Sequence, residues 1–298
     1  MTHSGFAVIA GRPNVGKSTL LNCMVGRKIA IVSDKVQTTR NRISGVLTRP
    51  DLQIVFIDTP GIHRPRHKLG EYMTGVAERT LSDVDAVLFV VDGASAPGPG
   101  DRYVASLLSR VQCPVITVLN KVDLLPGKTG EAPPHAAEYA SLVRAREVIP
   151  VSAVTGHNVE RLIEAAALLM PEGPMYYPED EITDKPEQFL AAELIREKIL
   201  LLTREEVPHS VAVDIEEMIP RKDDLIYISA TIYVERESQK GIIVGEGGRL
   251  LKEVGRLARL DIEALLGNRV YLELWAKVKK DWRNRESVLR SLGYNLDV

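Results

Sequence analysis

The sequence predicts a doubly wound α/β domain with a mostly parallel sheet, followed by a smaller α+β domain. Three observations predict this fold class. Apolar strand-like runs alternate with helix-like patterns from residue 6 to residue 170, a glycine-rich octet separates the first such strand from the first such helix, and the composition changes near residue 171. We place the first domain at residues 1–172, a linker at 173–188, and the second domain, with a C-terminal basic helix, at 189–298.

The strands of the first domain are predicted from short and nearly continuous apolar runs. These runs occupy residues 6–10, 52–57, 86–91, 114–119 and 148–151. Strands of this kind are buried on both faces of a parallel sheet, and the spacing between them leaves room for crossover helices. A sheet of this type binds ligands at the carboxyl ends of its strands.

A different order of elements follows the acidic, proline-containing stretch at 171–181, which indicates an extended linker. The pattern then predicts an α+β unit about half the size of the first domain. Its predicted elements are a helix over 189–203, a hairpin of strands at 211–215 and 225–234, helical segments joined by a glycine turn within 241–266, a strand at 270–274 and a basic C-terminal helix.

Composition limits the possible functions. The 298 residues are 45% hydrophobic with a net charge of −2, so the chain can bury one large or two moderate cores, and any nucleic-acid surface must be a local patch. Cys23 and Cys113 lack the spacing of a metal site or a disulfide framework, and His63 and His67 lack a third ligand nearby. With no long apolar stretch and no signal-peptide pattern, the sequence predicts a soluble, cytoplasmic protein.

Residues 11–18 read GRPNVGKS, which fits the pattern G-x-x-x-x-G-K-[ST] of a phosphate-binding loop. The apolar strand before it and the helix pattern after it supply the context that the motif requires. We expect backbone N–H groups of the loop to point at one anion, Lys17 to reach the outer phosphates, and Ser18 to bind Mg²⁺. The predicted phosphate-side contacts are Gly11, Arg12, Pro13, Asn14, Val15, Gly16, Lys17, Ser18 and Thr19.

The segment Asp58-Thr59-Pro60-Gly61 follows a buried strand and is predicted to sense the γ-phosphate. Asp58 would hold magnesium through water, and the Gly61 N–H would bond the γ-phosphate. The pattern D-x-x-G is weak by itself and gains weight from its place at the end of a strand downstream of the phosphate loop. Thr59 and Pro60 are included among the predicted nucleotide contacts.

The polar segment QTTR at residues 37–40 lies between the first helix and the second strand. A threonine hydroxyl in this loop would complete the metal shell when a triphosphate is bound. Thr39 is the first choice and Thr38 the alternative. The predicted metal ligands are therefore Ser18, Thr39 and Asp58.

The motif Asn120-Lys121-Val122-Asp123 follows another strand and predicts guanine recognition. The Asp123 carboxylate can accept both N–H groups on one edge of guanine, a pair that adenine lacks. Lys121 would cover the base, and Asn120 would tie this loop to the phosphate loop. Ser152 and Ala153, after the next strand, would supply a backbone N–H to the guanine oxygen.

The residue after Gly61 is Ile62, whereas many GTPases place there a glutamine that orients water. Isoleucine cannot orient water, so another group must stabilise the transition state. We expect Asn14 to help bind a potassium ion, the alternative being that Asn14 only braces the loop. Water attacks the γ-phosphate in line, and the residues given catalytic roles are Lys17, Asn14, Thr39 and Gly61.

Residues 245–248 read GEGG between two helical patterns, which is the G-x-x-G turn of KH domains. Such domains hold single-stranded RNA against an apolar groove, with basic side chains near its phosphates. The predicted RNA contacts are Lys240, Ile242, Ile243, Gly245, Glu246, Gly247, Gly248, Arg249 and Lys252. The basic region from Lys277 to Arg290 is left open between a solvated helix face and further RNA contacts.

These motifs together resemble the Era family, in which a P-loop GTPase domain precedes a type II KH domain. The likeness rests on the nucleotide motifs above, on Tyr176 to Asp180 in the linker, and on the glycine turn. It implies a GTPase that binds the 3′ end of 16S rRNA and assists 30S subunit assembly, with Mg²⁺ as cofactor. It also implies a monomer and peripheral association with the inner membrane, which the composition does not require. One departure is Glu246, where the family usually has lysine.

Two alternatives remain at this point. A phosphoryl-transfer kinase would use the same phosphate loop, but Asn120 to Asp123 and the lack of an acceptor site speak against it. A non-enzymatic RNA-binding module would keep the nucleotide as a structural element and turn it over slowly or not at all. The nucleotide-dependent movement of two switch loops, at about residues 33–45 and 59–80, is a hypothesis of the GTPase interpretation.

Overall fold

The structure is a computed structural model that describes residues 1–62, 67–125, 133–222 and 224–294. The chain forms two compact units. The first comprises Met1–Ala30, Thr39–Pro65 and Met73–Asp184, and the second comprises Ile31–Thr38, Arg66–Tyr72 and Lys185–Val298. The second unit thus includes two short segments from the first half of the chain.

The first unit contains a six-stranded sheet. Its strands are β1 His3–Ala10, β2 Ile43–Arg49, β3 Leu52–Asp58, β4 Ala86–Asp92, β5 Val115–Asn120 and β6 Ala145–Pro150. They lie in the order β2-β3-β1-β4-β5-β6, and only the pairing of β2 with β3 is antiparallel. The predicted mostly parallel sheet is confirmed.

Helices connect these strands and cover both faces of the sheet. They are α1 Lys17–Val25, α2 Lys68–Thr80, α3 Pro99–Leu108, α4 Ala136–Ala140 and α5 Val159–Ala167. Val8 and Phe89 pack with Ala77 of α2 and Val104 of α3, whereas α1 contacts α5 together with β1 and β3. Consecutive residues of β1 and β4 are therefore buried, as expected of strands between two helix layers.

The second unit is an α+β fold. Its helices are α6 Glu187–Leu202, α7 Val207–Ser210, α8 Glu237–Val244, α9 Arg249–Leu266 and α10 Glu286–Ser291, and its strands are β7 Ala212–Pro220, β8 Leu225–Val234 and β9 Arg269–Val278. The sheet has the order β7-β8-β9, with β7 antiparallel and β9 parallel to β8. Val254, Ala258 and Ile262, spaced four residues apart on α9, pack in the core of this unit.

The basic C-terminal region differs from the prediction of one helix. Lys277 lies on β9, because the parallel pairing with β8 continues to Val278. A turn at Trp282–Asn284 follows, and α10 has only six residues. The buried Trp282 indole donates to the Ser210 carbonyl at 2.8 Å, which fixes the turn against α7. None of the helices within the described ranges is long and apolar enough to cross a membrane.

Candidate functional sites

The phosphate-binding loop connects β1 to α1, and its glycines are required by close contacts. Gly16 has φ +93°, and a Cβ there would lie 2.3 Å from the Asn120 Nδ2. A Cβ at Gly11 would lie 2.3 Å from the Val90 carbonyl oxygen. Any side chain at these two positions would push the loop away from β4 and β5, so the sequence pattern reflects backbone crowding as well as phosphate binding.

Lys17 is buried inside this loop. Its Nζ donates to the Arg12 carbonyl at 3.0 Å. Burial lowers its pKa to about 8, with Asp58 opposing the decrease and Arg12 adding to it. A bound phosphate would place negative charge beside this buried ammonium group and would thereby favour its protonated form.

Two further loop side chains have distinct surroundings. Asn14 is exposed and has φ 64°, a left-handed conformation that asparagine tolerates better than most residues. The Arg12 Nε lies 3.1 Å from each carboxylate oxygen of Asp101, which is fully buried on α3. The guanidinium of Arg12 is thereby held at the edge of the loop.

The three predicted metal ligands come together at the start of α1. The Ser18 Oγ lies 2.6 Å from Asp58 Oδ2 and 2.8 Å from Thr39 Oγ1, and the Thr39 Oγ1 lies 3.2 Å from the same carboxylate oxygen. The alternative, Thr38, instead donates its hydroxyl to the Lys35 carbonyl at 2.6 Å. Of the two threonines, Thr39 is the one beside Ser18 and Asp58.

This oxygen cluster fits Mg²⁺. Asp58 is fully buried, and its Oδ1 has no hydrogen-bond partner among the described residues. Burial raises the pKa of Asp58, with Lys17, Ser18 and Thr39 opposing the increase. A carboxylate and two hydroxyls are hard ligands of the type that Mg²⁺ prefers, and a cation would compensate the buried charge.

The segment after Asp58 lies against the phosphate loop. The buried Thr59 hydroxyl donates to the Ile9 carbonyl at 3.1 Å, and the Ile62 N–H donates to the Gly11 carbonyl at 3.3 Å. A Cβ at Gly61 would lie 2.8–2.9 Å from atoms of Pro13. These contacts place the Gly61 backbone beside the phosphate loop, and Pro60 is buried.

Asn120 joins three loops at the predicted base site. It is 1% exposed, its Nδ2 donates to the Val15 carbonyl at 2.8 Å, and its Oδ1 accepts the Ala153 N–H at 3.0 Å. The Ser152 N–H donates to the His157 carbonyl at 3.1 Å. Of the two predicted donors to the guanine oxygen, the Ala153 N–H is therefore already bonded to Asn120, and a bound guanine would have to share it.

The two other residues of the motif have different environments. Lys121 has φ 66°, and its Nζ lies 2.8 Å from Asp92 Oδ2, which holds its stem at the end of β4. Asp123 lies in a short turn, Val122–Leu124, with its side chain exposed. The exposed Asp123 carboxylate, next to the Lys121 side chain, is therefore accessible to a nucleotide base that arrives from solvent.

The second candidate site is a groove of about 470 Å³ between α9 and β9. Apolar side chains from both elements form its floor, and basic residues of α9 line one side. Its lining residues are Gly248, Leu251, Lys252, Gly255, Arg256, Arg259, Val270, Tyr271, Leu272 and Leu274. Only Gly248 and Lys252 of this set were predicted as RNA contacts.

One predicted RNA contact needs correction. Ile243 is fully buried in the core of the second unit and cannot form the floor of a groove. Its neighbour Ile242 is 52% exposed, as successive residues of a helix point in different directions. The floor is instead made by Leu251, Leu272 and Leu274.

A basic stripe runs along α9, and the predicted RNA contacts include its residues Arg249 and Lys252 but not Arg256 and Arg259. Arg249, Lys252, Arg256 and Arg259 recur every three or four residues, which places them on one helix face. That spacing could have identified them. Tyr271 gave no such signal, because its place in the groove depends on the parallel pairing of β9 with β8.

The glycine turn itself spans residues 245–248, and Gly245, Gly247 and Gly248 all have positive φ. Glu246 is exposed and pairs with the Arg249 guanidinium, which also donates to the Glu246 carbonyl. Lys240, on α8, lies 3.9 Å from Glu237. The acidic side chain in the turn therefore competes with phosphate for Arg249.

No group of three or more histidine, cysteine or acidic residues suited to a metal occurs among the described residues. His63 lies outside those residues. His67 accepts the Gly70 N–H at 3.0 Å through Nδ1.

Comparisons with known proteins match both units. The family model of a 50S ribosome-binding GTPase matches residues 6–121, and that of a KH domain matches residues 206–283. The chain is similar to Era in complex with MgGDPNP and nucleotides 1506–1542 of 16S ribosomal RNA, with 42% identity, a TM-score of 0.93 and 99% of each chain covered. It is also similar to a variant of Aquifex aeolicus Era bound to GDP·AlF4−, with 42% identity, a TM-score of 0.94, and 98% of this chain and 99% of that chain covered.

Proposed function

The chain belongs to the Era family of GTP hydrolases, and we propose that it binds the 3′ end of 16S rRNA and acts in 16S rRNA processing and 30S subunit assembly. The observation that carries the nucleotide half of this proposal is the buried cluster of Ser18, Thr39 and Asp58 beside Lys17. The basic groove between α9 and β9 supports the RNA half.

The residues of the first unit account for hydrolysis in the following way. Lys17 and the backbone N–H groups of the phosphate loop hold the β- and γ-phosphates, and the Gly61 N–H bonds the γ-phosphate. Ser18, Thr39 and Asp58 would hold Mg²⁺, which would supply positive charge to the two outer phosphates. Water attacks in line, so no side-chain nucleophile is needed.

We propose that Asn14 supports hydrolysis by helping to hold a potassium ion. Its exposed carboxamide stands in the phosphate loop, and Ile62 cannot orient water. Turnover measured in equal concentrations of K⁺ and Na⁺ tests this role. We expect faster turnover in K⁺ and loss of that difference in Asn14→Ala; equal rates, or a potassium response that Asn14→Ala retains, would contradict it.

We propose that RNA occupies the groove with its backbone at the glycine turn and its phosphates near the basic stripe of α9. The remaining predicted RNA contacts are Lys240, Ile242, Gly245, Glu246, Gly247 and Gly248. The domain limits of 1–172 and 189–298 around a linker at 173–188 belong to the same proposal. Loading with GTP would change RNA affinity through the two switch loops.

The decisive experiment combines both activities in one sample. The full chain is assayed for phosphate release from GTP and ATP, and for binding of a 3′-terminal 16S rRNA fragment in the presence of GDP or a non-hydrolysable GTP analogue. We expect GTP-specific release and RNA binding that differs between the two nucleotides. ATP preference would favour the kinase alternative, and RNA binding without GTP turnover would favour the non-enzymatic one.

Location and assembly state are also part of the proposal. We propose a cytoplasmic monomer, and the family resemblance adds peripheral association with the inner membrane. Co-sedimentation of the purified protein with vesicles of inner-membrane lipids tests that association. Protein that remains in the supernatant at physiological salt would argue against it.

A further inference from the structure

Helix α6 carries an unusual set of buried charges. Glu193, Arg196, Glu197 and Lys198 are between 1% and 8% exposed. Burying a charge is costly unless the charge finds close partners, and apolar residues of the same size are often equally stabilising. Stability of the helix alone is therefore a weak reason for charges at these positions.

The partners of two of these charges lie in a segment from the first half of the chain. The Arg196 guanidinium donates to the Thr38 carbonyl, and its Nε donates to Glu193 at 2.7 Å. The Glu197 Oε1 accepts the Val32 N–H at 2.9 Å. Both ends of the segment Val32 to Thr38 are thus bonded to adjacent residues of α6, within the second unit.

The buried charge of Lys198 joins this part of α6 to another helix. The Lys198 Nζ donates to Glu197 at 2.9 Å and to Asp261 of α9 at 2.6 Å. Burial lowers the pKa of Lys198, and its hydrogen bonds to Asp261 and Glu197 outweigh this and raise the pKa above its ordinary value. The Glu197 carboxylate is consequently held by Lys198 on one oxygen while the other receives Val32.

The segment between the two bonds has internal order. The Thr38 hydroxyl donates to the Lys35 carbonyl at 2.6 Å, and the Lys35 N–H donates to the Ser33 hydroxyl at 3.1 Å. Ile31 is buried in the apolar core of the second unit. The segment is therefore held by hydrogen bonds within itself as well as by its bonds to α6.

The residue that follows this segment is Thr39, whose hydroxyl lies 2.8 Å from Ser18 Oγ. We propose that Arg196 and Glu197 are positioning residues for GTP hydrolysis, because they hold the segment that presents Thr39 to the magnesium site. This inference rests on the proposed function.

The test is a double-mutant cycle in the full chain. The single variants are Arg196→Met and Thr39→Ala, and the cycle adds the double variant. The measurements are affinity for a non-hydrolysable GTP analogue with Mg²⁺, affinity for GDP, and the rate of GTP turnover. We expect Arg196→Met to weaken GTP-analogue binding and slow turnover by about tenfold each, and to leave GDP affinity within about twofold. On the Thr39→Ala background it should have no further effect on analogue affinity.

Three further variants separate positioning from folding. Arg196→Lys keeps the charge and should retain more turnover than Arg196→Met. Glu197→Gln keeps an acceptor for the Val32 N–H and should likewise retain more turnover than Arg196→Met. The matched control is Thr203→Val at the end of the same helix, which removes a buried hydroxyl that donates to the Ile199 carbonyl and should stay within about twofold of the original protein.

The inference is overturned if folded Arg196→Met protein keeps its GTP-analogue affinity and turnover, or loses GDP affinity to the same degree. Additive effects in the Thr39→Ala background would also overturn it. If Arg196→Met does not fold, the same criteria apply to Glu197→Met, which removes the acceptor of the Val32 N–H. A chain that fails to hydrolyse GTP before any substitution contradicts the proposed function, whereas normal turnover with unaffected variants contradicts only this inference.

Discussion

The side chain of Asn120 offers the sharpest test of how the nucleotide site is held together. Asn120→Ala removes a carboxamide that is 1% exposed and bonded to two backbone groups, the Val15 carbonyl at 2.8 Å and the Ala153 N–H at 3.0 Å. The first group belongs to the phosphate loop and the second to the loop after β6. The substitution therefore uncouples three loops without touching a phosphate or a metal ligand.

Two buried backbone groups would lose their partners. Each unsatisfied group costs about 1–3 kcal/mol, so we expect a loss of about 3 kcal/mol in the free energy of unfolding of the first unit. For a unit of this size that loss lowers the melting temperature by about 6–12 °C. GDP and GTP affinities should fall by the same factor, because the lost bonds act on loop position and not on the γ-phosphate.

The assay is calorimetric unfolding of nucleotide-free protein, followed by titration with fluorescent GDP and a GTP analogue. The matched control is Thr117→Val on the same strand, which removes a buried hydroxyl that has no hydrogen-bond partner in the described part of the chain. It should change the melting temperature by less than about 2 °C. An Asn120→Ala protein that melts like the control, or that loses affinity for GTP alone, would refute the reasoning.

Three other predictions follow from the same two sites. Asp123→Asn should weaken guanine-nucleotide binding by about 10²–10⁴-fold and favour xanthosine nucleotide, measured by competition; an unchanged preference would remove Asp123 from base recognition. Gly16→Ala should abolish nucleotide binding in titration, because the new Cβ would lie 2.3 Å from the Asn120 Nδ2 at φ +93°, and binding that persists would show that the loop can shift. Glu246→Gln should free Arg249 for one phosphate, raising RNA affinity and steepening its log–log salt dependence by about 0.7, whereas a weaker or unchanged affinity would place the turn away from the RNA.

The parts of the fold that follow from local pattern were predictable. The phosphate loop and the five buried parallel strands are read from contiguous residues. The antiparallel strand β2, Ile43–Arg49, was not predicted, and the order of the strands in the sheet was not predicted either. The choice between Thr38 and Thr39 was not predictable, because it depends on which hydroxyl turns towards Lys35 and which towards Ser18. Periodicity also could not show that Ile243 faces the core while Ile242 faces solvent.

The basic C-terminal stretch shows a different limit. Lys277, Lys279 and Lys280 suggested a helix, yet β9 continues to Val278. Its alternation of Leu272, Leu274 and Ala276 towards the core is a strand pattern, and the long-range pairing with β8 decides the outcome. Charge composition alone does not distinguish a solvated helix from the outward face of a strand.

Residues 31–38 are attached to the second unit because buried backbone groups of this segment need hydrogen-bond partners, and no local sequence pattern reveals which residues supply them. The Thr38 carbonyl and the Val32 N–H need partners when they leave solvent, and those partners are Arg196 and Glu197. Each such bond has a charged partner and contributes about 1.5–3 kcal/mol net, which is the same order as the coupling free energies through which ligands act on distant sites. An apolar attachment of similar extent would be harder to shift, since a ligand can move an equilibrium only by its differential affinity for the two states. Polar contacts that water can replace would therefore suit the nucleotide-dependent movement that we propose for this loop.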